Sequence, residues 1–276
     1  MKCERDGIVF FQLPEWDPYG LTVHGFFGRV GGVSPPPFNT LNIGASSGDD
    51  AQHVAENLSQ IARVTGTQRD CFVFLRQVHG DRILYVAKDG ARADDGTILD
   101  SPGDALCTDR TAILLAVRTA DCLPVLLLDP LWPAVAIVHA GWRGTLKRIL
   151  KGCLREMSRL FNTRPEMMRV GFGPGIRSCC FLVDKEVADR FCDAFPNDNT
   201  MVSSAPQGKW RVDLYRANTA TLLEEGVRKD HLFYEPLCTC CHHDAFFSVR
   251  GDGGITGRQI SLVGLKAARK VEMNFF

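Results

Sequence analysis

A mixed α/β (α+β) fold, built as a single domain over residues 1–276, is predicted by three observations. Short apolar runs of strand length alternate with amphipathic stretches of helix length along the whole chain. The runs between residues 113 and 139 are almost continuously apolar, as strands covered on both faces are. The Pro-rich segments 34–37 and 196–206 are brief excursions, too short for domain boundaries. At 276 residues the chain can bury a sizeable core.

Residues 8–12 and 21–27 read as strands, separated by a breaker-rich stretch at 13–20. After a Gly, Ser and Pro loop at 31–37, Asp49 or Asp50 caps a helix carrying Val54, Leu58 and Ile61, which Gly66 stops. Strands are predicted at 72–78, 83–87, 113–119, 123–129 and 134–139. The clearest helix runs from about Thr145 to Phe161, where Leu146, Ile149, Leu150, Cys153, Leu154, Met157 and Leu160 keep a 3.6-residue period. Shorter helices are predicted at 184–195 and 213–225, each entered through an Asp, the second closed by Gly226. Strands near 246–249 and 260–264 end the chain.

Lys plus Arg and Asp plus Glu number 32 each, so no overall field recruits nucleic acid or an acidic membrane surface. No apolar run approaches a bilayer span, and charges in residues 1–7 argue against an export signal. Eleven cysteines in such a chain point to reduced thiols in the cytoplasm, most of them buried as small hydrophobes. A small-molecule partner is therefore expected; the oligomeric state is not encoded legibly.

Three segments carry the chemistry: Gln77-Val78-His79-Gly80, Thr119-Ala120-Asp121-Cys122 and His139-Ala140-Gly141-Trp142-Arg143-Gly144. Together they offer two imidazoles and one thiol, a donor set suited to zinc with an open coordination position. Only Pro130-Leu131-Trp132-Pro133 separates the strands 123–129 and 134–139, so they pair as an antiparallel hairpin. A turn centred on Pro130-Leu131 sets Cys122 directly opposite His139, about 4.5–5.5 Å apart at Cα. Centring it on all four loop residues makes the two diagonal neighbours on one face. Nothing local brings His79 to them. Alternation points Asp121 away from Cys122, which argues against it as a general base.

Residues 141–145 feed a helix, and their free N–H groups with Arg143 make an anion site. Arg29, in a Gly-rich loop, and Arg250 and Arg258 are further anion candidates, though each alone reads as an ordinary arginine. The run Cys238-Thr239-Cys240-Cys241-His242-His243 is rich in metal donors but reads as too tightly spaced for the usual zinc patterns.

His24-Gly25-Phe26, 29–34, Pro37-Phe38, 41–44, 48–50, 77–80, 119–129, 139–145, Gly173-Pro174, Cys179-Cys180, Asp213-Leu214, Ala217-Asn218, Cys238-Thr239, 246–248 and 256–258 resemble the laccase-domain, polyphenol-oxidase-type family. That family is described as purine nucleoside phosphorylases with adenosine deaminase activity, and the likeness spans residues 24–265. It implies a layered α/β/β/α sandwich with mixed, largely antiparallel sheets. It also implies a zinc triad at His79, Cys122 and His139, with substrate contacts at Arg29, Asn42, Arg143 and Arg250. Implied partners are phosphate and purine nucleosides: adenosine, inosine, guanosine and methylthioadenosine. Two stretches depart from the family pattern. Phe181-Leu182-Val183-Asp184 stands where an aromatic, Glu, Val and Gly are usual, and Val249-Arg250-Gly251 where an aromatic and two arginines are.

Rival readings are a metal-free hydrolase or deamidase with Cys122 as nucleophile and His139 as base, a copper-dependent phenol oxidase, and a zinc-stabilised binding module. Copper binds such N/S donors more tightly than zinc, so copper loading in vitro would be a misleading guide to the native metal.

Overall fold

In the computed structural model, residues 1–44, 46–87 and 98–267 are described. The apolar runs around 113–139 form the centre of two sheets laid face to face. One has seven strands, with Leu114–Thr119 beside Gln259–Leu265, and the other six, with Leu123–Asp129 beside Ala134–Ala140. Strand periodicity divides the side chains. Leu126, Leu128, Val135 and Ile137 meet Leu115, Val117 and Val263 between the sheets. Val125, Leu127, Ala136 and Val138 turn outward onto Leu150, Cys153, Leu154 and Met157. On the far side, Leu114, Ala116 and Leu262 pack on Ile61 and Ala62 of the helix Ala51–Thr65. The result is the expected α/β/β/α sandwich.

Most pairs are antiparallel, as expected. The parallel ones join Phe72–Arg76 to Leu114–Thr119 and Ile98–Pro102, Ile83–Tyr85 to Ala105–Thr108, and Arg169–Phe172 to Leu232–Tyr234. The strands Lys2–Arg5, Ile98–Pro102, Ala105–Thr108 and Arg169–Phe172 go beyond the sequence reading. So does a small sheet of Leu182–Val183, Trp210–Val212 and Val202–Ser204, which packs a separate cluster around Phe191.

Two elements differ from expectation. The helix foreseen over 145–161 is two, Trp142–Leu146 and Ile149–Phe161, broken at Arg148 with φ 59°. Leu146 packs on the Phe191 cluster whereas Ile149 and Leu150 pack on the sheet, so the apolar period runs through a change of partner. Arg148 holds the break by donating to Thr221 Oγ1, Glu224 and the Ala194 carbonyl. Residues 246–249 form no strand. Phe247 N–H donates to Gln259 Oε1 and Ser248 N–H to Asp252, so side-chain acceptors replace a ladder. The caps at Asp50 and Asp213 accept from Gln52 and Arg216 N–H as expected, whereas the Asp184 side chain makes no cap and pairs with Lys209.

Leu126 is fully buried and Leu131 is exposed at the hairpin tip. Leu126→Ala is expected to cost about 2–5 kcal/mol in chemical denaturation, and Leu131→Ala less than about 0.5 kcal/mol.

Candidate metal centre

The hairpin register pairs His139 with Pro124 and Asp129 with Ala134. The turn thus takes in all four loop residues, and Asp129 Oδ1 accepts from the N–H groups of Leu131 and Trp132 within it. Cys122, two residues before Pro124, is the diagonal neighbour of His139. Residues 120–122 carry the chain from one sheet to the other, and Asp121 takes φ 97° to make that corner. Cys122 is thereby held where the two sheets open.

His79 reaches the same place along a different route. After Phe72–Arg76 the Gln77 side chain extends the sheet, donating to the Arg118 carbonyl and accepting from Arg118 N–H. The chain then turns, with His79 at φ 57°. Asp104 fixes that turn, its fully buried carboxylate accepting from Val78, His79 and Gly80 N–H at 3.3, 2.9 and 2.6 Å. The same carboxylate accepts from His139 Nδ1 at 2.8 Å. In the neutral ring Nδ1 therefore carries the proton and the Nε2 lone pair is left to bind a metal, the arrangement that carboxylate partners impose on metal-binding histidines.

The donor atoms of His79, Cys122 and His139 lie within 4.8 Å of one another, with the two rings edge to face. A Cβ at Gly141 would stand 3.2 Å from both Cys122 Sγ and His79 Cδ2, so a larger residue would crowd the donors. Two imidazoles and a thiolate, one imidazole pre-oriented by a carboxylate, fit a single zinc ion with a position left open. Three donors could hold one ion and are too few for a cluster of several.

Without a cation the half-buried Cys122 and the buried His139 polarise each other. Burial raises the Cys122 thiol, but the charge of His139 and hydrogen bonds from both histidines outweigh it and bring it down to about 6. Burial lowers His139, while the Cys122 and Asp104 charges prevail and raise it to about 9. Asp104 is held below its ordinary value: burial opposes this, and the hydrogen bonds from His139, Gly80 and His79 override it.

Two clefts meet at His79 and Cys122. One, of about 320 Å³, is lined by Gln77, Arg76, Arg118, Thr119 and Arg258. The other, of about 240 Å³, is lined by Trp142, Ile176, Phe181, Leu214, Val249 and Arg250. Arg118 stacks on Phe74 with its Nε buried and unpartnered, and burial lowers it to about 10, still cationic at neutral pH.

The other expected contacts fall differently. Arg29 is buried, paired with Asp252, bonded to the Asn39 and His243 carbonyls and stacked on Phe247, and lines neither cleft. Asn42 is also buried: Oδ1 accepts from Gly44 and Arg258 N–H, and Nδ2 donates to Ser47 and Asp49. Both are scaffold residues, because their polar groups are already satisfied. Arg143 is exposed and stacks on Trp142 outside both clefts. Arg250 does line the second cleft, its guanidinium donating to the carbonyls of Cys180 and Leu182. Asp121 is taken up by Thr239, Ser248 and Arg250 N–H. Sequence reasoning passed over Asp104, whose role depends on residues 25 and 35 positions away, and Arg118, whose signal was a charge inside a covered strand.

Sandwich and site together define a class. The chain belongs to the family described as multi-copper polyphenol oxidoreductase laccase, whose model matches residues 23–266. Among its relatives, purine nucleoside phosphorylase YlmD of Geobacillus stearothermophilus is 35% identical over 254 residues, covering 90% of this chain and 91% of that protein. Adenosine deaminase RL5, from an unknown prokaryotic organism, is 36% identical over 225 residues, covering 80% and 85%. The crystal structure of the Bacillus licheniformis hypothetical protein YfiH superposes with a TM-score of 0.87 at 34% identity, covering 95% of this chain and 98% of that one. Among the described residues no helix is long and apolar enough to cross a membrane.

Asp104→Asn is expected to weaken zinc binding about 10- to 100-fold, read by competition with a chromophoric chelator; unchanged affinity would mean that Asp104 does not orient a metal ligand. In metal-stripped protein, alkylation of Cys122 should rise as pH passes about 6 and the thiolate forms, well below an ordinary thiol near 9.

Proposed function

We propose that the protein is a zinc-dependent purine nucleoside phosphorylase that also deaminates adenosine, with residues 1–276 acting as one catalytic domain. The observation that carries this reading is the donor triad at the junction of a basic and an aromatic cleft. The names of the relatives, phosphorylase and adenosine deaminase, support it.

In this reading phosphate occupies the cleft of Arg118 and Arg258, and the purine lies against Trp142, Phe181 and Val249. The ribose bridges them, its anomeric carbon near the triad. A phosphate oxygen forms a bond to that carbon as the bond to the purine nitrogen breaks, and the electron pair leaves with the base. The cations hold the nucleophile's charge in place, and the apolar wall orients the base, so most of the acceleration is positioning. His79, Cys122 and His139 would hold the zinc, and Asp104 would keep His139 oriented toward it. Zinc, when bound, would supply Lewis-acid polarisation of substrate or water. Deamination needs no phosphate: water adds at the purine carbon bearing the amine, and ammonia leaves.

Metal-replete protein incubated with adenosine and inosine, with and without phosphate, is expected to give base plus ribose phosphate only with phosphate, and inosine from adenosine without it. No product from either nucleoside would end this reading. Cys122→Ala should cut turnover by more than about 100-fold in a folded protein, since even outer partners of metal ligands act on that scale. Arg118→Ala should raise KM for phosphate about 10- to 100-fold, the loss of one hydrogen bond to a charged group.

A metal-free cysteine hydrolase is the second reading, favoured by the thiolate–imidazolium character of Cys122 and His139. Cys122 that resists alkylation in the purified protein until a chelator is added excludes it.

A further inference from the structure

Four thiols outside the triad converge in space. A turn at Arg177, closed by N–H groups of Cys180 and Phe181 donating to the Arg177 carbonyl, presents Cys179 and Cys180. A second turn, closed by His242 N–H donating to the Cys238 carbonyl, presents Cys238 and Cys241. All four sulfurs lie within 4.8 Å of one another. Cys241 Sγ stands 3.6 Å from Cys179 Sγ and 3.4 Å from Cys180 Sγ.

From these positions we infer a second metal site, a closed tetrathiolate zinc centre formed by Cys179, Cys180, Cys238 and Cys241. With Zn–S bonds of about 2.3 Å, the edge of a tetrahedron of sulfurs is about 3.8 Å. The separations of Cys241 from Cys179 and Cys180, 3.6 and 3.4 Å, sit near that edge. Cys241 is shared almost equally by two thiols, which a tetrathiolate requires and a disulfide, joining two sulfurs, does not. Cys238 and Cys241 are separated by two residues, a usual spacing for paired zinc ligands. The sequence run looked too tight because it was read as one cluster; its partners come from about sixty residues upstream.

A backbone donor already faces the cluster: Arg177 N–H donates to Cys238 Sγ at 3.4 Å. The sulfur-only donor set selects zinc or iron over harder ions, and four protein ligands leave no open position. The role is therefore structural.

What this centre would secure is one wall of the aromatic cleft. It ties the turn carrying Phe181 to the segment leading to Val249 and Arg250, all three of which line that cleft. Two further ties run parallel to it. Arg250 clamps the Cys180 and Leu182 carbonyls, and Asp121, next to Cys122, accepts from Thr239 Oγ1 and Ser248 Oγ at 2.7 and 2.6 Å. The inference does not rest on the proposed reaction.

The test is metal analysis of the full chain purified anaerobically with reductant and dialysed against zinc. The His79→Ala/Cys122→Ala protein is expected to retain one zinc per chain, and cobalt exchanged into it should give the intense thiolate-to-cobalt charge-transfer band of four sulfur ligands. Cys179→Ser/Cys241→Ser should lose that zinc and that band. If the latter variant does not fold, the former decides alone. Wild-type protein with two zinc ions, or with one that survives loss of His79 and Cys122, supports the centre; the second case would fail the zinc triad and leave the tetrathiolate site standing. No zinc in the His79→Ala/Cys122→Ala protein, iron in its place, or a disulfide among the four cysteines by mass spectrometry would overturn it.

Discussion

The Asp104 carboxylate is the contact on which the site depends. Fully buried, it gathers three successive backbone N–H groups at residues 78–80 and the Nδ1–H of His139. A buried carboxylate without partners would be strongly unfavourable, and with four donors it becomes a fixed point of negative charge. It joins the turn after Phe72–Arg76, in the seven-stranded sheet, to the end of Ala134–Ala140, in the six-stranded sheet. It also sets the His139 tautomer, so that one residue provides both assembly and chemistry.

The four-layer packing makes that fixed point possible. Alternate residues of Leu123–Asp129 and Ala134–Ala140 bury against the facing sheet and against the helices, leaving the hairpin no freedom to slip. A slip of one residue would exchange the two cores and carry His139 to the opposite face. The donors therefore stand on the rims of two rigid sheets, which positions them more tightly than loops alone would. Gly141 faces the donors, Gly144 lies against the Gly80 carbonyl, and Gly175 against residues 121 and 123, three of the close approaches that glycine permits.

The site is asymmetric. Arg76, Arg118 and Arg258 line one side, and mainly apolar and aromatic side chains, with Arg250, the other; His79 and Cys122 line both. Arg29 and Asn42, which sequence reasoning assigned to substrate, instead brace the loops behind the basic side, Asn42 by receiving Arg258 N–H and Arg29 by pairing with Asp252. The aromatic side borrows its wall from turns near residues 180 and 250, held together by Arg250 and bordered by the four-thiol cluster.

The sequence by itself determined the alternation of elements, the covered central strands, the caps at Asp50 and Asp213, and the meeting of Cys122 with His139, because each follows from local period, turn length or backbone chemistry. His79 was legible only through family likeness. Tertiary structure alone decided the break at Arg148, the irregular course of 246–249 and the roles of Arg29, Asn42, Arg118 and Asp104. It also decided the convergence of Cys179 and Cys180 with Cys238 and Cys241. Apart from 246–249, whose acceptors Asp252 and Gln259 lie four and twelve residues on, these turn on partners dozens to more than two hundred residues away, as between Arg29 and Asp252. A polar side chain's role depends on whether a distant partner has already satisfied it, and no local pattern carries that information.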